Sequence, residues 1–154
     1  MSYLKNIRLV KSNLYTMGAI GFVISIVSLI SLYLIDPSFT LGDEINPSLV
    51  DDTIITIFVM AISVTYLVGG YHYTRFKRWT WHMLYSASSI GMIVAIGYTL
   101  LYFIGSVGAD IAVLATIMCA LGSFIVFFEI HTLDTKAMFR IWKGSFWDRY
   151  RDRE

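Results

Sequence analysis

Charge is what this chain has least of. Only 15% of its 154 residues are Asp, Glu, Lys or Arg, against about a quarter in an ordinary soluble domain. A domain this small cannot hide its apolar surface from water when 56% of its residues are hydrophobic. Lipid is therefore the expected solvent for much of the chain, and the length fits one domain. Cysteine is nearly absent. The single Cys119 excludes an internal disulfide and a CxxC redox pair, so the compartment is not legible from thiols. The formal net charge of +1 gives no global field for nucleic acid. No nucleotide-binding loop, Ser-His-Asp arrangement, HExxH spacing, internal repeat or low-complexity tract occurs. Proline is confined to Pro37 and Pro47 in one polar segment, which leaves the long apolar runs unbroken.

Those runs are what the chain does have. Residues 14–35 contain no Asp, Glu, Lys, Arg or His. As a helix they would rise roughly 33 Å, enough for the hydrocarbon core of a bilayer. Asp36-Pro37 stops the run, because proline cannot continue the ladder and restricts the residue before it. No small-residue cleavage site clearly follows it, so it reads as a span rather than a leader. Further spans are expected at 53–71, 81–104 and 111–130. In lipid every backbone polar group must be paired within its own segment, so runs of this length form helices despite their β-branched residues. The expected fold is an all-α bundle of four transmembrane helices, with a loop at 36–52 and a tail at 132–154.

Every Lys and Arg lies in one of three places: Lys5, Arg8 and Lys11 before the first span, Arg75, Lys77 and Arg78 between the second and third, and six residues from Lys136 to Arg153 after the fourth. The remaining two loops carry only acids: Asp36, Asp43, Glu44, Asp51, Asp52 and Asp110. The positive-inside rule then expects both termini and the middle loop in the cytoplasm. Trp79, Trp81, Trp142 and Trp147 fall on the basic side, as interfacial aromatic rings do. Asp51-Asp52 suit the N-terminus of the second span. In the tail, Met138, Ile141, Trp142, Phe146 and Tyr150 recur at helical spacing among basic residues. That pattern fits an amphipathic helix on the inner leaflet, interrupted at Gly144. Trp142, Phe146, Trp147 and Tyr150 could also anchor a partner protein.

Each span has a stripe of small residues at steps of three and four: Gly18, Gly21, Ser25 and Ser28; Ala61, Thr65 and Gly69; Ala87, Gly91 and Ala95; Ala112, Ala115, Cys119 and Gly122. Small faces let helices approach and gain dispersion where lipid offers no hydrophobic drive. These stripes are expected to pack the bundle, with Gly18 to Ser28 also able to dock a neighbouring subunit.

Ionisable groups inside spans are functional suspects, and the middles of all four spans contain none. Near the basic ends stand His72, His82, Glu129 and His131. Imidazoles with a carboxylate could bind a transition metal or relay protons. The plainer reading is a set of interfacial polar groups, with Glu129 facing the bundle and paired with Arg75, His72 or His82. Glu129 and His131 lie two residues apart and so point to different helix faces.

The chain has almost no mass outside its spans. The leading functional expectation is a non-catalytic accessory subunit of a larger integral membrane complex, for example a respiratory or metal-dependent oxidase assembly, with the lipid bilayer and other membrane subunits as partners and no cofactor of its own. One alternative is a small homo-oligomeric channel or transporter using Ser25, Ser28, Thr65, Ser86 and Ser89, which offer hydroxyls without charge. Another is a metal- or haem-binding protein using the four polar residues at the basic end.

Overall fold

The computed structural model describes residues 2–34, 47–75, 77–105, 110–132, 135–136 and 139. They form four helices: α1 (Ser2–Leu34), α2 (Pro47–Tyr73), α3 (Arg78–Phe103) and α4 (Asp110–His131). Each contains a stretch long and apolar enough to cross a membrane, namely Ile7–Leu34, Asp51–Tyr73, Arg78–Phe103 and Ala112–His131. The chain is thus an all-helical bundle of the kind that a multi-pass membrane protein forms.

Three boundaries differ from the sequence expectation, each for a local reason. α1 starts at Ser2 rather than near residue 14, because nothing in its first turns breaks a helix and Ile7, Val10 and Leu14 continue its inward stripe. Its 33 residues rise about 50 Å, well beyond a hydrocarbon core of about 30 Å. α2 starts at Pro47, where the missing N–H costs nothing in a first turn, and takes in residues expected to be loop. α3 starts at Arg78 and closes at Gly105, whose positive φ of 79° lets its N–H turn back to the Tyr102 carbonyl at 2.9 Å. The turn between α2 and α3 is tight, with Arg75 N–H donating to the His72 carbonyl at 3.0 Å.

The antiparallel run brings Arg8, Lys11, Arg75, Lys77, Arg78 and Lys136 to one end, called here the basic end. Asp51, Asp52 and Asp110 lie at the other, the acidic end. α1 packs on α2 and α4, α3 packs on α4 and α2, and α2 meets α4 across the middle, while α1 and α3 make no contact. This is a rhombus with α2 and α4 at its short diagonal. Accordingly α2 and α4 each bury 44% of their most apolar stretch, whereas α1 buries 28% and α3 33%.

The close approach of the helices rests on small residues. A Cβ on Gly18 would stand 2.8 Å from Leu67 Cγ and 2.9 Å from the Ser63 carbonyl oxygen, so α1 and α2 touch there along the backbone. Gly21 faces the Ser63 hydroxyl in the same seam, and a Cβ on Gly91 would stand 2.6 Å from Ser123 Oγ between α3 and α4. Ser25, Ser28, Ala87, Ala95, Ala112, Ala115 and Cys119 are buried as well. The stripe from Gly18 to Ser28 therefore lies against α2 of its own chain, and a leucine at Gly21 would part α1 from α2 before it could affect a neighbour.

On α2 the expected stripe is corrected. Gly69 is buried against Leu84 of α3 as expected, but Ala61 is exposed and Thr65 only half-buried, because the inward seam is otherwise set by Asp52, Thr56, Val59, Ser63, Tyr66 and Gly70. Thr65 can face outward because its hydroxyl donates to the Ala61 carbonyl at 2.8 Å. Large apolar residues fill the outer faces, such as Val23 and Ile30 on α1, Ile93 on α3 and Phe124 on α4. The amphipathic pattern in the tail, with Trp142, Phe146, Trp147 and Tyr150, lies outside the described residues.

Candidate functional site: polar centres at the two ends of the bundle

At the basic end Glu129 turns its side chain toward α1, where Asn13 Nδ2 donates to its Oε1. Its other oxygen, Oε2, is buried without a hydrogen-bond partner among the described residues. This replaces the expected pairing with Arg75, His72 or His82. Arg75 instead lies with its guanidinium 5.4 Å from the centre of the Tyr71 ring. Asn13 went unnoticed in the sequence because it stands in the polar approach to the first apolar run. The signal that could have found it is its register: it precedes by one turn Met17, which packs against Gly122 of α4.

Two residues further on, about 200° around the helix, His131 faces α3. Its ring stacks on Phe127 at 4.6 Å and lies 5.5 Å from Tyr85. Tyr85 in turn stacks on Trp81 at 5.1 Å with an interplanar angle of 6°. The Trp81 indole N–H donates to the Ile130 carbonyl at 3.0 Å and so satisfies one of the last carbonyls of α4. His82 is exposed and meets Trp81 edge-on. His72 sits across the turn, edge-on between Tyr71 at 4.9 Å and Trp79 at 5.1 Å. His72 thus has its own aromatic neighbours, while His82 and His131 both lie beside Trp81. Among the described residues no three of His, Cys, Asp and Glu gather as ligands of a metal ion.

Just beyond α4, Thr135 and Phe139 are buried against the bundle. The Thr132 and Thr135 hydroxyls both donate to the Glu129 carbonyl, at 3.1 and 3.0 Å, and Phe139 N–H donates to the Thr135 carbonyl at 3.1 Å. This turn delivers Phe139, fully buried, onto the Tyr73 ring at 5.3 Å. Glu129 is therefore covered by α1 on one side and its backbone is closed off by a capping turn.

At the acidic end the Tyr98 hydroxyl of α3 donates to Asp52 Oδ1 of α2. Asp52 is 3% exposed. It was expected to cap its helix, but α2 begins a turn earlier and carries it into the interhelical seam. The Thr56 hydroxyl donates back to the Asp52 carbonyl at 2.7 Å and lies 3.2 Å from Ser28 Oγ of α1. Three helices are therefore linked by polar groups at one level.

Between these ends Tyr66 of α2 donates to Ser123 of α4 at 2.8 Å across the short diagonal. Ser25 and Ser63 donate to the carbonyls of Gly21 and Val59 on their own helices, both at 2.8 Å. The five hydroxyl residues considered for a pore differ in burial within the chain. Ser25 and Ser28 are buried, Ser86 is exposed, Thr65 is half-buried, and the Ser89 hydroxyl is buried on α3 without a partner among the described residues.

A scan against protein-family models finds no match, and neither curated proteins nor solved structures match the chain.

Proposed function

We propose that this chain is a non-catalytic accessory subunit of a larger integral membrane complex. The observation that carries the reading is how the four helices divide their surfaces. Small residues and hydroxyls are used between helices of the same chain, while α1 and α3, at the far corners of the rhombus, keep broad apolar faces turned outward. A bundle closed on itself in this way offers a rigid apolar wall, and such a wall suits packing beside a larger subunit as well as lipid. In this reading the basic end, with both termini, lies in the cytoplasm, and the tail with Trp142, Phe146, Trp147 and Tyr150 lies along the inner leaflet or against the partner. Purification from native membranes in mild detergent, followed by native gel and mass spectrometry, tests it. A larger membrane protein in fixed stoichiometry is expected, and a lone chain would overturn the reading.

The bond between Tyr66 and Ser123, with buried Asp52 at one end of the bundle and half-buried Glu129 at the other, favours one second reading, a small autonomous homo-oligomeric channel or transporter. Flux of small ions into vesicles that contain only this chain would support it over the first.

A further inference from the structure

The turn between α2 and α3 gathers more uncompensated positive charge and more exposed aromatic surface than its role as a connector explains. Residues 71–80 read YHYTRFKRWT, with three cations and no acid. Arg75, Lys77 and Arg78 are all exposed, and none forms an ion pair with a described residue. The first turn of α3 adds to this field. It contains no acidic residue, and Lys77 caps it without a side-chain hydrogen bond, so the positive end of the helix dipole is left unscreened. Two rings flank the cations. Tyr71 is 58% exposed and Trp79 45% exposed, and the His72 ring stands edge-on between them. The Arg75 guanidinium rests over Tyr71, which holds the charge at the level of the ring.

Both rings belong to stretches apolar enough to span the membrane, Tyr71 in the last turn of one and Trp79 in the first turn of the next. The cations project from the same turn. A ligand that meets both must carry an anionic head and an apolar body. We propose that the α2–α3 turn binds an anionic phospholipid, with its headgroup phosphate among Arg75, Lys77 and Arg78 and its glycerol and upper acyl region against Tyr71 and Trp79. Basic residues beside a span attract anionic headgroups, and aromatic rings with polar edges sit at the same depth. A free phosphate or an acidic peptide would use the cations and leave the two rings without a role.

The test uses the full-length chain, delipidated in mild detergent. Native mass spectrometry measures retention of phosphatidylglycerol against phosphatidylcholine with identical acyl chains. The wild type is expected to retain the anionic lipid about tenfold more strongly or better. Arg75→Gln/Lys77→Gln/Arg78→Gln, at three exposed positions, is expected to abolish that preference. Arg149→Gln/Arg151→Gln/Arg153→Gln, with the same loss of charge elsewhere, is expected to keep most of it. Trp79→Ala is expected to weaken retention of both lipids. Equal losses in the two triple variants would overturn the proposal in favour of general attraction. Displacement of the lipid by millimolar inorganic phosphate would overturn it in favour of a free-anion site.

Discussion

Gly91 and Gly97 lie on the same helix and make opposite demands, so alanine at each gives a paired test of the packing. At Gly91 the new Cβ would stand 2.6 Å from Ser123 Oγ. Ordinary contact begins nearly 1 Å farther out, so α3 and α4 must separate or Ser123 must turn away from Tyr66. Overpacking of this kind costs about 1–3 kcal/mol. The Tyr66–Ser123 bond, if lost, adds about 0.6 kcal/mol at the average for interhelical bonds in membranes. The better helix propensity of alanine returns roughly 0.5–1 kcal/mol. The net expectation for Gly91→Ala is a destabilisation of about 0.5–3 kcal/mol. At Gly97 a Cβ meets nothing within 4 Å, so only the propensity acts, and Gly97→Ala should be neutral or stabilising by up to about 1 kcal/mol. Both are measured by loss of helicity as dodecyl sulfate is titrated into mild-detergent micelles. Equal shifts for the two variants would refute the α3–α4 seam as described.

The same titration reads the other contacts. Tyr98→Phe removes the hydroxyl that faces buried Asp52 and should cost about 1–3 kcal/mol. Asp52→Asn/Tyr98→Phe should then be less damaging than the sum of its parts, and strict additivity would contradict the pairing. Asn13→Leu leaves Glu129 Oε1 without its donor and should destabilise by a similar amount, about 1–3 kcal/mol. Glu129→Gln, which keeps a carbonyl for Asn13, should cost less than Glu129→Leu, and the reverse order would count against an α1–α4 contact there. Phe139→Ala empties a fully buried site beside Tyr73 and should cost about 3–5 kcal/mol. Its local signature is faster amide exchange at the ends of α2 and α4, and unchanged exchange there would remove the capping role.

The spans were legible because residues such as those from Leu14 to Leu34 admit no charge and lipid admits only helix. The inward faces of α1, α3 and α4 were legible too, since Gly18, Gly91 and Cys119 each begin or continue a single unambiguous row of small residues. On α2 two rows compete. Ala61 and Thr65 are smaller, but Thr56, Ser63 and Tyr66 reach partners on α1 and α4, and that choice depends on helices distant in sequence. The polar centres were half legible. Glu129 stood out as an acid among Phe127, Phe128 and Ile130, and its inward direction followed. Its partner did not follow, because a charge suggests an opposite charge and Asn13 has none. Asp52 was hidden for another reason: a helix start moved by one turn converts a capping acid into an interior one.

The most direct test of the proposed role is photo-cross-linking in native membranes from a photoreactive residue placed at outward-facing Ile93, with buried Ala95 as the control position. The account predicts a defined adduct with a larger, different membrane protein from position 93 and none from position 95. Adducts from position 93 with lipid alone, or with a second copy of this chain alone, would contradict it.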